Sequence, residues 1–300
     1  MQLVDYSQGS AEWLGWRLGR ITGTDAIIIA AGKGLIQKKP AWVKPLQWLW
    51  EVKLGKRSGI IPDNIALRQG RMLEPVARRL YEQVYEPMSP VCVEGEGDFS
   101  FMGASLDGVS FGMDVILEIK VPSEDVAKQV DFGLIPEYYV PQLAHQAMCM
   151  WGHPDQWKNT EIHFGAYSIE QRRLMLAKKP ALRLAEFAKR LLPELRSFWA
   201  SIDQSELPCG MDWAIAAQQY IVANEQKKAA EAEMALVKER LVSLMGGLPR
   251  KDGAGISVTT SEKKGSIDYG AYVRALNIDD SELEPFRKKD TTTTAIHILS

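Results

Sequence analysis

Gly103-Ala-Ser-Leu-Asp107-Gly-Val-Ser-Phe-Gly-Met-Asp-Val-Ile-Leu-Glu118-Ile-Lys120 sets two acids and a lysine into a segment that is otherwise apolar or turn-forming. Val115, Ile116, Leu117, Ile119 and Val121 make a near-continuous apolar run, the pattern of a strand buried on both faces. Side chains alternate along a strand, so Glu118 and Lys120 share one side while Leu117 and Ile119 take the other. Asp107, followed by Gly108, reads as a turn residue. A hairpin from Asp107 to Glu118 would bring the two carboxylates together. Asp-Gly is also a common plain turn, and Glu-x-Lys a common exposed pair. The apolar run favours the chemical reading, because a charge inside it is costly unless it is paired or ligates a metal.

Two carboxylates, a backbone carbonyl and a substrate phosphate are the hard oxygens that Mg²⁺ takes as ligands. A metal so held polarises a phosphoryl oxygen and acidifies its bound water. A lysine beside it stabilises the negative charge that grows on the phosphate. The segment therefore reads as a site for metal-assisted phosphodiester hydrolysis.

Outward from it, the pattern alternates between helix and strand. Ala11–Gly19 reads as a helix, and Thr22 or Thr24 caps a second helix over Ala26–Ala31. Ile65–Tyr85 is amphipathic and holds Glu74, with a kink or break expected at Pro75. Val91–Val93, Phe99–Ala104, Val115–Val121 and Glu161–Tyr167 read as strands, and Glu137–Trp151 as a helix. Together these predict an α/β fold, a central mixed sheet flanked by helices. Residues 1–207 form the expected nuclease domain. Residues 208–300 form a small α+β extension, with a long helix over 211–246, a strand at Ile256–Thr260, a short helix at Tyr269–Leu276 and a β-prone tail at Thr291–Ile298.

The 300 residues are 46% hydrophobic and 25% charged, which excludes a disordered or collagen-like chain. The longest purely apolar run, Ala26–Ala31, is too short to span a membrane. Three widely spaced cysteines, Cys92, Cys149 and Cys209, suit a reducing cytoplasm and show no zinc pattern. The net charge of −2 conceals a segregation: residues 1–80 hold 13 Lys/Arg against 6 Asp/Glu, while residues 81–170 hold 3 against 15. A basic segment next to an acidic one is compatible with phosphate binding beside a metal site. Segments that mix in space would give the same counts. Trp42, Trp48 and Trp50, interleaved with Lys38, Lys39, Lys44 and Lys53, are candidates for stacking on bases and clamping phosphates, or for core and interface packing. Asp98 reads as solvated, Asp114 as a turn residue and His145 as a packed polar group.

Five ordered blocks over residues 10–170 resemble the phage lambda exonuclease family, the YqaJ-type viral recombinases of the PD-(D/E)xK nuclease superfamily. They are Trp13-Leu-Gly-Trp-Arg17-Leu-Gly-Arg-Ile21-Thr-Gly-Thr24-Asp25, Gly70-Arg-Met-Leu-Glu74, Ser105-Leu-Asp107-Gly, Glu118-Ile-Lys120 and Tyr139-Val-Pro-Gln142. The resemblance implies that Asp107, Glu118 and the Ile119 carbonyl bind Mg²⁺ (or Mn²⁺), with Glu74 helping to hold a second ion. It implies that Lys120 positions the attacking water, supported by Gln142, and that Arg17 and Thr24 grip the 5′-phosphate of a DNA end. Lys33 is a substitute for a further basic contact.

Departures from the family pattern are Leu106 in place of the proline, Gly23 in place of an alanine, and Ala144 in place of a second glutamine, with Gln146 nearby. The implied activity is 5′-to-3′ exonuclease action on double-stranded DNA, leaving 3′ single strands for a single-strand annealing recombinase. The implied assembly is a homotrimer, in the cytoplasm of a bacterial host and of phage or prophage origin. Alternatives are a restriction-like or structure-specific endonuclease of the same superfamily and a non-catalytic DNA-end-binding protein.

Overall fold

The computed structural model describes residues 1–6, 9–59, 64–202 and 210–262, with scattered positions between 265 and 287. The chain divides into two compact units, 1–222 and 223–299. The expected short helix at 269–276 falls partly, and the tail at 291–298 wholly, outside the described residues.

The first unit is an α/β layer structure on a six-stranded sheet whose spatial order follows the sequence: β1 (Gln2–Val4), β2 (Met88–Glu94), β3 (Gly103–Ser110), β4 (Val115–Lys120), β5 (Glu161–Ser168) and β6 (Arg173–Pro180). Only β4 and β5 run parallel, and the other neighbours are antiparallel. The helices are α1 (Ala11–Leu18), α2 (Gly23–Gly32), α3 (Leu46–Lys53), α4 (Ile65–Glu82), α5 (Glu124–Asp131), α6 (Val140–Trp151) and α7 (Ala185–Ala200). The parallel pair needs a crossover, and α5 and α6 provide it.

The β4 sequence shows how the layers work. Val115, Leu117 and Ile119 pack beneath α4 with Ala77 and Tyr81. Ile116 points the other way, into the large core shared with α2, α5, α6 and α7. Both faces of the strand are covered, as its unbroken apolar run requires. Glu118 and Lys120 continue the Ile116 side, under α6.

Several local expectations change. Asp107 lies inside β3, not at a turn, and the turn is Ser110–Asp114, closed by the Ser110 hydroxyl donating to Asp114 at 2.7 Å. The strand expected from Phe99 starts at Gly103, after a 3₁₀ turn over Gly97–Phe99. Helix α4 runs through Pro75 without a break. Its start is capped by the Asn64 side chain, and its buried face is anchored on the sheet, which outweighs one lost backbone bond.

The second unit contains the end of α8 (Gly210–Leu244) and a hairpin of β7 (Arg250–Gly253) with β8 (Ile256–Thr259). Among the described residues no helix is long and apolar enough to cross a membrane.

His145 on α6 is fully buried, and its Nε2–H donates to the Ile21 carbonyl at 2.9 Å. Burial pulls its pKa from 6.5 to about 4, so the fold holds the neutral ring. The unfolded chain takes up the proton first as pH falls. The stabilisation is therefore complete above about pH 6.5 and is lost as pH falls towards 4, on the order of 3 kcal/mol in all. Thermal unfolding of the wild type and of His145→Gln should show a steeper loss of Tm between pH 6.5 and 4 in the wild type. Parallel pH curves would contradict the assignment.

Candidate active site

The site forms where β3 and β4 part. Their ladder has two register pairs, Gly108 with Leu117 and Val109 with Ile116. Beyond it the Ile119 N–H has no strand partner, and the Asp107 carboxylate accepts it through Oδ2 at 2.7 Å. The side chain thus bridges a fork in the sheet. Arg78 of α4 donates to the Asp107 carbonyl at 2.6 Å, and Glu74 sits one turn earlier on that helix, 3.6 Å from the Arg78 guanidinium.

Glu118 is almost fully buried on β4. Its Oε1 accepts from Lys120 Nζ and from Gln142 Nε2, the latter at 2.5 Å, and its Oε2 accepts from Gln146 Nε2 at 2.6 Å. Both glutamines lie on the sheet-facing side of α6, four residues apart and therefore stacked on one face. Gln146 supplies the second glutamine contact that Ala144 cannot. The signal in the sequence was this helical spacing from Gln142. The Oε1 atom of Gln146 is buried without a donor. Tyr139 presents its ring to Lys120 at 5.8 Å.

The charges do not balance in isolation. Burial, then the neighbouring Glu118, then Glu74 hold the Asp107 carboxyl well above the usual carboxylate range, against Lys120 and the Ile119 N–H. Burial raises Glu74 as well, with Arg78 opposing it and Glu118 adding to it. Burial would lower Lys120, but Glu118 and Asp107 hold it above its ordinary value, so it stays an ammonium and donates. Asp107 and Glu118 offer hard oxygens next to the Ile119 backbone, with excess negative charge that a divalent cation would relieve. Among the described residues no three acidic, histidine or cysteine side chains form a preassembled metal cage.

A pocket of about 120 Å³ lies at the start of α2, lined by Arg17, Thr24, Asp25, Lys44, Trp48 and Lys53, among others. Thr22 is the N-cap, and Thr24 is the second helical residue. The Arg17 guanidinium lies over the Trp13 ring at 4.4 Å. Trp13 in turn donates its indole N–H to Ser105, two residues before Asp107, at 2.9 Å. The first turn of α2 also touches the acid site: a Cβ on Gly23 would stand 2.9 Å from Gln142 Cγ, so glycine allows the approach.

Lys33 is not brought to this pocket. It caps the far end of α2, about 15 Å along the axis for ten residues, and pairs with Glu194 at 3.1 Å. Trp42 is half-exposed at the pocket edge, whereas Trp50 donates to the Ser201 carbonyl. Asp98 is solvated as expected.

A mixed sheet here opens a fork of two buried acids and a lysine beside a basic pocket at a neighbouring helix start, an arrangement that could hold a divalent cation next to a phosphate. Residues 12–153 match the YqaJ-like viral recombinase domain family, as the five sequence blocks led us to expect. The fold is similar to that of the alkaline exonuclease LHK-Exo from Laribacter hongkongensis, with a TM-score of 0.50 at 20% identity over 74% of this chain and 100% of that one. A second structure of LHK-Exo, in complex with dAMP, has a TM-score of 0.48 at 19% identity with the same coverage. No curated protein matches the chain. These findings show a match to that domain family over residues 12–153 and a fold similar to that of the alkaline exonuclease.

The electrostatic imbalance predicts a cost in stability. Asp107→Asn keeps an acceptor for the Ile119 N–H and removes a buried like charge. In urea unfolding at pH 8 with a chelator present, the variant should be more stable than wild type by about 1–2 kcal/mol. An equal or lower stability would show that the carboxylate is not strained by its neighbours.

Proposed function

We propose that this protein is a Mg²⁺-dependent exonuclease that degrades double-stranded DNA from 5′ ends and leaves 3′ single strands for annealing-type recombination. The observation that carries the reading is the contact between two sites: the α2 start that lines the Arg17–Thr24 pocket abuts Gln142, which bonds to Glu118. An anion held at a helix start is favoured by its free N–H groups and dipole. Arg17 adds a guanidinium suited to a bidentate phosphate contact. A terminal phosphate bound there would place the adjoining backbone beside the acids. An endonuclease has no need of such an end pocket.

Asp107, Glu118 and the Ile119 carbonyl would hold the metal, with Glu74 contributing to a second ion. Bound there, Mg²⁺, or Mn²⁺ in its place, would supply Lewis-acid polarisation of the scissile phosphate and a more acidic water. Lys120, kept protonated by Glu118 and Asp107, donates to oxygen and stabilises charge growing on the phosphoryl group. Gln142 and Gln146 fix the Glu118 carboxylate from the α6 side, so its orientation does not depend on substrate. The buried setting strengthens these interactions relative to water.

Lys33, engaged with Glu194 away from the pocket, takes no part in the phosphate grip. A homotrimer, a single-strand annealing recombinase as partner, and action in the cytoplasm of a phage-infected cell complete the reading, and these rest on the family resemblance.

The test is a linear duplex labelled at one end, with 5′ phosphate or 5′ hydroxyl, incubated with Mg²⁺ beside a covalently closed circle. The expected result is faster nucleotide loss from phosphorylated 5′ ends and an intact circle. Cutting of the circle would establish an endonuclease instead, and binding without cutting would establish a non-catalytic end binder.

A further inference from the structure

The α2 pocket contains a cation that has no hydrogen bond left to give a ligand. Lys53, the last residue of α3, is 3% exposed. Its ammonium donates to the Arg17 carbonyl at 2.7 Å, to the Arg20 carbonyl at 2.5 Å and to Asp25 Oδ2 at 2.8 Å. An ammonium has three protons, and all three are used. The Arg17 carbonyl lies in the last turn of α1, where it also accepts backbone N–H groups, and the Arg20 carbonyl lies just past that helix, in the link to α2.

We infer that Lys53 is a positioning residue for the DNA-end pocket: it ties the end of α1 to the start of α2 and thereby aims Arg17. This rests on the reading of Arg17 and Thr24 as the 5′-phosphate grip.

The linkage can be followed atom by atom. Asp25 Oδ2, held by Lys53, also accepts the Thr22 N–H at 2.8 Å and the Thr22 hydroxyl at 2.9 Å. With its proton directed to Asp25, the Thr22 hydroxyl oxygen faces Arg17 as an acceptor, 3.3 Å from Nη2. Trp13 supports the guanidinium from its face. Arg17 is therefore held by its own backbone carbonyl through Lys53 and by its side chain through Thr22 and Asp25. Its remaining N–H groups are left for a ligand.

Charge gives Lys53 a second task. Asp25 lines the pocket, and a lone carboxylate there would repel a phosphate. Lys53 offsets it, which leaves Arg17 and Lys44 as the pocket's uncompensated cations. Loss of Lys53 would both release Arg17 and expose the anion.

The experiment compares the full-length wild type, Arg17→Ala, Lys53→Met and the double variant Lys53→Met/Asp25→Asn on duplexes ending in 5′ phosphate or 5′ hydroxyl. It reads kcat and KM separately with Mg²⁺, and Kd for both duplexes without it. In the wild type the phosphorylated end should be preferred. Lys53→Met should lower that preference about tenfold, through KM and Kd rather than kcat, and Arg17→Ala should act in the same way. The double variant leaves no unpaired buried charge and carries the test if Lys53→Met fails to fold. It should regain stability and recover only part of the preference. Equal losses on both ends would make Lys53 a structural residue and overturn the inference. So would a phosphate preference that survives Lys53→Met and the double variant but not Arg17→Ala. A wild type indifferent to the 5′ phosphate would overturn the reading of the pocket itself, and the inference with it.

Discussion

The hydrogen bond from the Ile119 N–H to the Asp107 carboxylate occupies the place where the sheet stops being a sheet. Two register pairs join β3 to β4, and then a side chain replaces the ladder. The backbone group left by the divergence must be satisfied, because a buried unpaired N–H costs more than a typical net hydrogen bond contributes. An acid at this position satisfies it and places a carboxylate in the fork. Glu118 then emerges from the neighbouring strand on the side that α6 covers. Much of the candidate chemistry follows from this one interruption.

The surrounding layers serve that arrangement. α4 covers the odd-numbered face of β4 and carries Glu74 and Arg78 to the edge of the fork. α6 covers the other face with small side chains, Ala144 and Ala147, and interposes Gln142 and Gln146 opposite Glu118. The close approach of Gly23 to Gln142 links the acids to a second anchored region, the α1–α2 junction. The result is a buried cluster of like charges that is unfavourable for folding. Such strain is common where stability is traded for reactivity.

The sequence carried much of this arrangement. The apolar run of β4 predicted burial on both faces, and the alternation placed Glu118 with Lys120, because a strand has a fixed period. The five family blocks pointed to the recombinase domain, and the mixed sheet followed from the order of patterns. What was illegible depended on tertiary context. Asp-Gly looked like a turn because that pair is common in turns, yet Asp107 is drawn into β3 by its bond to Ile119. Pro75 suggested a kink or a break, and the break does not occur, because local propensity cannot weigh the packing of the helix around it. Gln146 was masked by a shifted position, although its spacing from Gln142 put it on the same face. Lys33 looked suitable by neighbourhood in sequence, but a helix carries it to the opposite end of α2. The clamp on Lys53 involves residues more than thirty positions away, and no local pattern marks it.

The central claim is that the forked acids form the metal-binding and catalytic centre. Calorimetric titration of Mn²⁺ or Mg²⁺ into the wild type and Asp107→Asn, in the presence of a 5′-phosphorylated duplex made with nuclease-resistant linkages, tests it directly. The expected result is saturable binding to the wild type and its loss in the variant, with DNA still bound. Equal metal binding by both proteins would contradict it.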